Sequence, residues 1–555
     1  MQACDRLTTE RFGVPSLDLM RAASAALAAF ARHQFPRTRR LTVLCGRGNN
    51  GGDGMMAARL LASTGLDVTT LLLGAPNGLS GDTAQAWREL TSLEGGAAHG
   101  LIHVIERPED LSRHRAALEA DLILDAVVGT GFKPPLKGLA LAALEWIGGS
   151  KAPILAVDLP SGWPADETSA TVADPVFPAD AVITFTAPKP AHVFGQLTRR
   201  WSQPVVVAPI GSQEEAIVSA LEEDSLNLIW AGSSLSLAQT PRPAAANKGS
   251  FGHVLVVGGT LGTAGGKSGA PAMAALAALR SGAGLVTAAV PAPALPLVAA
   301  IAPELMTYPL AATPAGSIAA QNLSAELVAA LMAGKTVLAI GPGLGQSTET
   351  AKFTAGLLSA TKIPAVIDAD ALNILAAEPA LLADLAKLAE AGRTLVLTPH
   401  PGEMARLAGI PVAEVQANRL EVARGFAQRL GVTLVLKGAR TLIAHPGGRV
   451  AVNTTGNPGM AKGGSGDLLT GLIAGLMAQH PGELARAVEA AVYLHGLAAD
   501  LAVRVADEHT LLATDSLAQL PRAFRFRASG PNGYLWLQGL PAEAVEAAAL
   551  HEATV

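Results

Sequence analysis

The stretch Leu41-Thr-Val-Leu-Cys45-Gly46-Arg47-Gly48-Asn49-Asn50-Gly51-Gly52-Asp53-Gly54, running into Met55–Ser63, decides the fold. Five apolar or β-branched residues form a short buried strand, the glycines a tight turn, and Met55–Ser63 a helix. The same order recurs outward from it. Val68–Gly74, Leu122–Gly129, Pro153–Asp158, Ala181–Ala187 and Val205–Gly211 read as further strands, with helices such as Thr83–Leu90 between them and Ser16–Phe35 ahead of the first. Alternation of this kind predicts a parallel sheet with helices on both faces. It lapses between Gly211 and Phe251, where Glu-Glu pairs, the polar run Ala231–Ser236 and Pro241-Arg-Pro243 read as an exposed connector. It resumes with Val254–Val257, Val337–Ile340, Ala365–Asp368, Leu395–Thr398 and Val432–Leu436. The fold class is therefore α/β with two doubly wound domains, residues 1–222 and 226–525. The tail from Arg525 to Val555 carries no pattern that places it, and no internal repeat is present.

A chain of 555 residues, 50% apolar and 16% charged, has the material for two or more cores and excludes wholesale disorder. No apolar run of membrane length lacks a Pro, Gly or charge. Forty-one basic against 46 acidic side chains give a formal charge of −5, no basis for general attraction to nucleic acid or anionic membrane. Three Tyr and six Trp are too few for base-stacking platforms. Two cysteines, Cys4 and Cys45, cannot staple a scaffold, so the expected setting is the reducing cytoplasm. The expected partners are small molecules, and the expected class a soluble metabolic enzyme.

The polar residues at strand ends carry the chemistry. Glycines at 46–54 let backbone N–H groups approach an anion at a helix N-terminus. A turn with Asp53 as N-cap explains the same residues, except that two adjacent carboxamides exceed what a turn requires. Asp125, before Gly129-Thr130-Gly131, and Asp158, before Leu-Pro-Ser161-Gly162, each end an apolar run, and a buried carboxylate there needs backbone N–H groups, a cation or a substrate proton as partner. In the second half, Asn457-Pro-Gly-Met-Ala-Lys-Gly463-Gly464-Ser465-Gly466-Asp467 precedes a helix at Leu468–Met477. Its N–H groups can hold phosphoryl charge while Asp467 takes a hydroxyl proton; a simple helix cap is the competing role for that acid. Lys437-Gly438-Ala439-Arg440-Thr441 reads as an edge turn near a nucleotide or as an ordinary hairpin. His400, in Thr398-Pro-His400-Pro-Gly-Glu403, reads as a turn residue or a ligand contact. Asp368 and Asp370 at another strand end offer carboxylates for Mg²⁺ with phosphate.

These motifs resemble the bifunctional NAD(P)H-hydrate repair enzymes. The first half, with Gly48 to Gly54, Leu79-Ser-Gly-Asp82, Asp125 and Asp158 in order, is similar to their YjeF-type epimerase domain, which is Rossmann-like. The second half, with Lys248-Gly-Ser-Phe-Gly252, Gly341 to Gly345, Asp368 to Asn373, His400 and Gly463 to Asp467, is similar to the ribokinase-like ADP-dependent dehydratase. The resemblance implies that Asn49, Asn50, Gly51, Gly52 and Asp53, together with Gly129, Thr130, Gly131, Phe132, Lys133, Pro134, Pro135 and Asp158, hold hydrated NADH or NADPH. It implies K⁺ on Asn50, Asp125 and Ser161. It places Ala270, Gly343 or Gly345, His400 and Asp467 on the hydrate in the second half, with Lys437 to Thr441 and Gly466 on the adenine nucleotide. ADP is then the phosphoryl donor with Mg²⁺, Asp158 and Asp467 are the catalytic groups, and a homo-oligomer is expected. Two departures stand out. Arg21-Ala22-Ala23-Ser24 follows Leu19-Met20 where the family has Glu-Asn-Ala-Gly, and Thr263-Ala-Gly-Gly266 lengthens the loop before Ala270. A kinase acting on a stable alcohol and a scaffold protein are the rival readings; a scaffold requires none of Asp125, Asp158 and Asp467.

Overall fold

The computed structural model describes residues 2–92, 100–222, 226–263, 265–530 and 533–541. The tail beyond residue 541, Glu223 of the connector and Ala264 of the lengthened loop lie outside the described residues. The chain divides into two compact units, one formed by residues up to Leu226 together with those from Arg527, the other by Asn227–Phe526.

The first unit is built on an eight-stranded sheet. From edge to edge its order is Leu535–Gln538, Val205–Ala208, Ala181–Phe185, Ile154–Val157, Leu122–Ala126, Arg40–Cys45, Asp67–Leu73 and Gly100–Ile105. All neighbours are parallel except the first pair. Helices on both faces bury the central strands, so those strands are continuous Val/Leu/Ile runs rather than alternating ones. The strand order reverses between Arg40–Cys45 and Leu122–Ala126, and that crevice is where such sheets bind ligands.

The unplaced tail supplies an edge strand. Leu535–Gln538 pairs antiparallel with Val205–Ala208, and the Tyr534 hydroxyl donates to the Ala26 carbonyl at 3.0 Å. Tyr534 and Trp536 stand edge-on to Phe30 of the helix Ser16–Gln34, with ring centroids 5.7 and 6.3 Å away. Trp536→Ala should destabilise this unit by ~3–5 kcal/mol, the cost of truncating a buried aromatic. Chemical denaturation followed by circular dichroism checks it; an unchanged midpoint would mean that the strand adds no stability.

The second unit carries a ten-stranded sheet. Its order is Met306–Leu310, Leu285–Pro291, His253–Val257, Val337–Ile340, Ala365–Ile367, Leu395–Leu397, Thr433–Leu436, Leu442–Ala444, Val450–Val452 and Leu228–Trp230. The first seven strands run parallel, and the next two form an antiparallel meander.

The last strand corrects the reading of the connector. Leu228–Trp230 joins the sheet beside Val450–Val452, and Ala231–Ser234 and Leu235–Ala238 are helical turns with Ala231, Ser234, Leu235 and Leu237 buried. Trp230 decides this: its indole N–H reaches Thr454 Oγ1 at 2.8 Å and its ring packs edge-on to Tyr493. The Ser234 hydroxyl donates to the buried Glu489 carboxylate. The run from Thr240 to Ala245 is exposed throughout, as are Ser233 and Ser236. Among the described residues no helix is long and apolar enough to cross a membrane.

Candidate active sites at the strand ends

In the first unit, the helix expected from Met55 begins at Asn49, with Gly48 as its N-cap, so Asn49 to Gly54 occupy its first turns. Asp53 is therefore not the cap. Gly51 and Gly52 are buried because a side chain would not fit: a Cβ on Gly52 would lie 2.7 Å from Met20 Cε, and one on Gly51 would overlap the Gly46 carbonyl. This close packing puts Asn49, Asn50 and Asp53 on a cleft of ≈ 1510 Å³ shared with Gly129–Phe132 and Asp158. Lys133, Pro134 and Pro135 are exposed and lie outside its lining.

Asp158 sits at the cleft floor in the left-handed region, φ +67°, where only a local network holds a non-glycine residue. Its Oδ1 accepts from Thr184 Oγ1 and from Lys189 Nζ, both at 2.9 Å, and its Oδ2 accepts from the Thr130 N–H at 3.1 Å. The His192 ring completes the network. Its Nδ1 accepts from the Lys189 N–H at 3.0 Å, so its Nε2 carries the proton donated to the Asp158 carbonyl at 2.7 Å. Burial pushes His192 down to about 4 and keeps it neutral. Burial is the largest influence and would raise the Asp158 carboxyl, but the Lys189 ammonium and the other groups around it, His192 and the Thr184 hydroxyl among them, together outweigh it and hold Asp158 below the usual range. Asp53 goes the other way. Its burial, Asp158, and Asp5 of the helix Gln2–Glu10 push it well above the carboxylate range, against the pull of Lys189.

Asp125 is fully buried. It accepts from the Ser161 hydroxyl at 2.6 Å and the Ser161 N–H at 2.7 Å, and burial still raises it to about 6. Ser161 Oγ also accepts from the Val128 N–H at 2.9 Å. Asn50 closes on the same turn, yet both its amide oxygen and its nitrogen are buried with no hydrogen-bond partner. A buried carboxamide without partners beside a carboxylate of raised pKa is an arrangement that an oxygen-seeking cation satisfies.

In the second unit, Gly464 at φ +95° is the N-cap of the helix Ser465–Gln479, and no side chain caps it. Asp467 lies in the first turn, three residues past Gly464, and makes no capping bond, which removes the helix-cap explanation for this acid. Burial, then the neighbouring Asp368, raise its carboxyl to about 6. Asp368 is spoken for: Oδ1 accepts from Lys437 Nζ at 2.8 Å and Oδ2 from Thr470 Oγ1 at 2.7 Å. Asp370 is likewise occupied by Lys267 Nζ at 3.1 Å, the Gly345 N–H at 2.9 Å and Gln346 Nε2 at 2.9 Å. Both carboxylates are engaged by protein donors, and the described residues contain no group of three His, Cys, Asp or Glu side chains that would hold a metal ion. Asp368–Asn373 therefore form no all-protein Mg²⁺ cage; a Mg²⁺ ion carried in by phosphates would need only one or two carboxylates.

Ala270 opens the helix Gly269–Arg280, its Cβ 3.2 Å from where one on Gly343 would lie, so the lengthened loop leaves it beside the Gly341–Gly345 turn. His400 caps the helix Pro401–Ala408, its Nδ1 accepting from the Gly402 N–H at 3.0 Å while Glu403 Oε2 accepts from the His400 N–H at 2.8 Å. This is the turn role; the side chain is half-exposed, and its Nε2 stands 3.5 Å from Glu403 Oε1. The Lys437–Thr441 turn is pinned from below by Arg419, which donates to the Lys437 and Leu436 carbonyls at 3.4 and 3.3 Å. The Lys437 N–H donates to the Pro399 carbonyl at 2.9 Å, which brings the His400 turn and the Lys437–Thr441 turn together.

Comparison with known proteins decides the family. A family model described as YjeF-related protein N-terminus matches residues 16–191, and one described as NAD(P)H-hydrate dehydratase matches residues 254–522. The bifunctional NAD(P)H-hydrate repair enzyme of Moorella thermoacetica is 40% identical over 534 residues, 95% of each chain. That of Coxiella burnetii is 37% identical over 517 residues, 93% of this chain and 96% of its own. The chain belongs to the bifunctional NAD(P)H-hydrate repair enzymes. Among solved structures, the ADP/ATP-dependent NAD(P)H-hydrate dehydratase of Bacillus subtilis, crystallised with ATP and Mg²⁺, is 33% identical and covers 53% of this chain and 96% of its own, with a TM-score of 0.43.

The structure brings to these strand ends residues that the motifs did not announce. Lys189, His192 and Thr184 surround Asp158, and Thr470 and Glu403 surround the Asp368–Lys437 pair. The dipeptide Lys189-Pro190, just past the Ala181–Phe185 strand, is the one sequence signal that could have marked a strand-end cation. The departure at Arg21 is absorbed locally: Arg21 pairs with Glu89 at 2.9 Å and Asp18 at 3.3 Å, and Ser24 bonds the Met20 carbonyl within its own helix.

Proposed function

We propose that the first unit interconverts the R and S epimers of NADH and NADPH hydrate, and that the second uses ADP to dehydrate the S epimer to NAD(P)H, releasing AMP and phosphate. The observation that carries the reading is Asp467: an acid in the first turn of a helix, making no capping bond, raised to about 6, with the Lys437 ammonium alongside. Gly464 to Asp467 would hold the phosphoryl group as Asp467 takes the proton of the C6 hydroxyl. Phosphate then leaves far more readily than hydroxide. Ala270, Gly343, Gly345 and His400 surround the hydrate, and Lys437 to Thr441 with Gly466 take the nucleotide. Recovery of the reduced-nicotinamide absorbance from hydrate plus ADP tests this. Accumulation of a stable phosphorylated alcohol instead would favour a kinase.

In the first unit the opposed environments of Asp158 and Asp53 separate a base from an acid within one cleft. Asp53, kept protonated, gives its proton to the C6 oxygen as the C6–O bond breaks and the ring nitrogen takes up the charge. Asp158, ionised beside Lys189, takes a proton from the water that adds back on the other face of C6. Asn49 and Gly129 to Phe132 line the cleft beside them. We assign K⁺ to Asn50, Asp125 and Ser161, where it would answer the partnerless Asn50 amide and the buried Asp125 charge. Asp125→Asn should weaken K⁺ binding at least tenfold and slow epimerisation, and K⁺ affinity of the unaltered chain should fall as the pH drops through about 6. Titration calorimetry with KCl at several pH values checks both; K⁺ affinity indifferent to Asp125 and to pH would remove the ion from this site. The enzyme is further expected to act as a cytoplasmic homo-oligomer, which sedimentation addresses.

A further inference from the structure

Asp368 is 1% exposed at the end of the strand Ala365–Ile367, a cost that a carboxylate bears only with full compensation. Its two oxygens serve two elements. Oδ1 holds the Lys437 ammonium at the end of Thr433–Leu436, and Oδ2 holds the Thr470 hydroxyl in the second turn of Ser465–Gln479. The backbones of both partners are fixed as well, with the Asp368 N–H on the Ile340 carbonyl at 3.0 Å and the Lys437 N–H on the Pro399 carbonyl at 2.9 Å. The ammonium is thereby set over the first turn of the helix: a Cβ placed on Gly466 would lie 3.5 Å from Lys437 Nζ. Glu403 Oε2 stands 3.8 Å from the same nitrogen and is itself tied to the His400 N–H. Stability alone gives little reason for such a pair, since apolar side chains would serve as well there.

We propose that Asp368 is a positioning residue of the dehydratase site: it clamps the Lys437 ammonium over the anion-binding turn Gly464–Asp467, so that the lysine meets the phosphoryl group as its charge develops. The proposal rests on the dehydratase reading and explains why both Asp368 oxygens are engaged by protein. A pre-aimed ammonium needs no reorganisation at the moment of transfer, which is where fixed charges contribute most to rate. The charged or titratable groups that face Lys437 are Asp368, Glu403, Asp467, His400 and His495. Burial pulls the ammonium down, and Asp368, then Glu403, hold it above its usual value.

The test uses the full chain and Asp368→Asn, with single-turnover dehydration at saturating ADP, ADP affinity by calorimetry, and melting and epimerisation measured on the same sample. The expected result is a ~10²-fold loss of dehydration rate with ADP affinity within about threefold. The rate–pH profile should also gain a fall on the alkaline side, because a buried ammonium without its counter-ion loses its proton earlier. An unchanged rate, or a rate that falls only with melting temperature and keeps its alkaline limb, overturns the proposal. Should Asp368→Asn fail to fold, Thr470→Val removes the tie to the helix and leaves the ion pair: a loss of about tenfold supports the clamp, and an unaltered rate overturns it. Absence of ADP-dependent dehydration in the unaltered chain would instead sink the reading of the site itself.

Discussion

Asp467→Asn should lower ADP-dependent dehydration by ~10²–10⁴-fold while leaving epimerisation untouched. Asparagine keeps the size of the side chain and its place three residues past Gly464, so the N–H groups of the anion turn remain as they are. It cannot accept the hydroxyl proton. Stability should change by less than about 1 kcal/mol, because Asp467 makes no capping bond whose loss would count. The sign can even favour the variant. A carboxyl raised in the folded state adds stability when protonated and loses it as the pH rises through its folded value, so at neutral pH the neutral asparagine avoids that cost. The unaltered enzyme should show the matching rate profile, with dehydration falling as the pH drops through about 6. Near-normal single-turnover dehydration by Asp467→Asn would end its assignment as the base.

Asp158→Asn should abolish most epimerisation, by ~10²–10⁴-fold, and should also destabilise the first unit. The second effect separates it from Asp467→Asn. Lys189 is 7% exposed and its ammonium is held by Asp158, Thr184 and the Phe185 carbonyl. Losing the carboxylate leaves a buried cation short of its counter-ion, a change that costs ~3–5 kcal/mol. The backbone is no obstacle, since asparagine accepts the left-handed φ that Asp158 adopts. Pairing the variant with Lys189→Met distinguishes the two effects: the double variant should regain stability and stay inactive. For the unaltered chain, epimerisation should need Asp158 ionised and Asp53 protonated, so the rate should fall at both ends of its pH range. Asp53→Asn should remove the alkaline fall. Activity retained by Asp158→Asn in a folded sample would refute the acid–base roles.

The parallel strands were legible because each is a local run of Val, Leu and Ile ending in a Gly turn. Leu122–Ala126, Val337–Ile340 and Thr433–Leu436 fall where the reading places them, within a few residues. Gly100–Ile105, Leu285–Pro291 and Met306–Leu310 escaped because glycine, alanine and proline dilute their apolar pattern, and two of them lie at sheet edges with less to bury. The connector was misread because serines at 233, 234 and 236 look solvated, whereas Ser234 bonds a buried glutamate supplied by Glu489. Asp53 reads as a cap because a glycine pair weakens a helix; close packing on Met20 and Gly46 lets the helix begin at Asn49 instead of Met55.

By itself the sequence determined two doubly wound α/β halves and the strand-end residues Asn49, Asn50, Asp125, Asp158 and Asp467, because turn chemistry and apolar runs act over a few residues. The tertiary structure alone decided their electrostatics. Lys189 meets Asp158 across 31 residues and Lys437 meets Asp368 across 69, and those pairings set which carboxyls stay ionised. It also decided where the tail goes: Tyr534 reaches Ala26 across 508 residues, and the strand after it finds an unpaired sheet edge. Hydrogen-bond partners and counter-ions depend on which segments the sheets bring together, and no local pattern records that proximity.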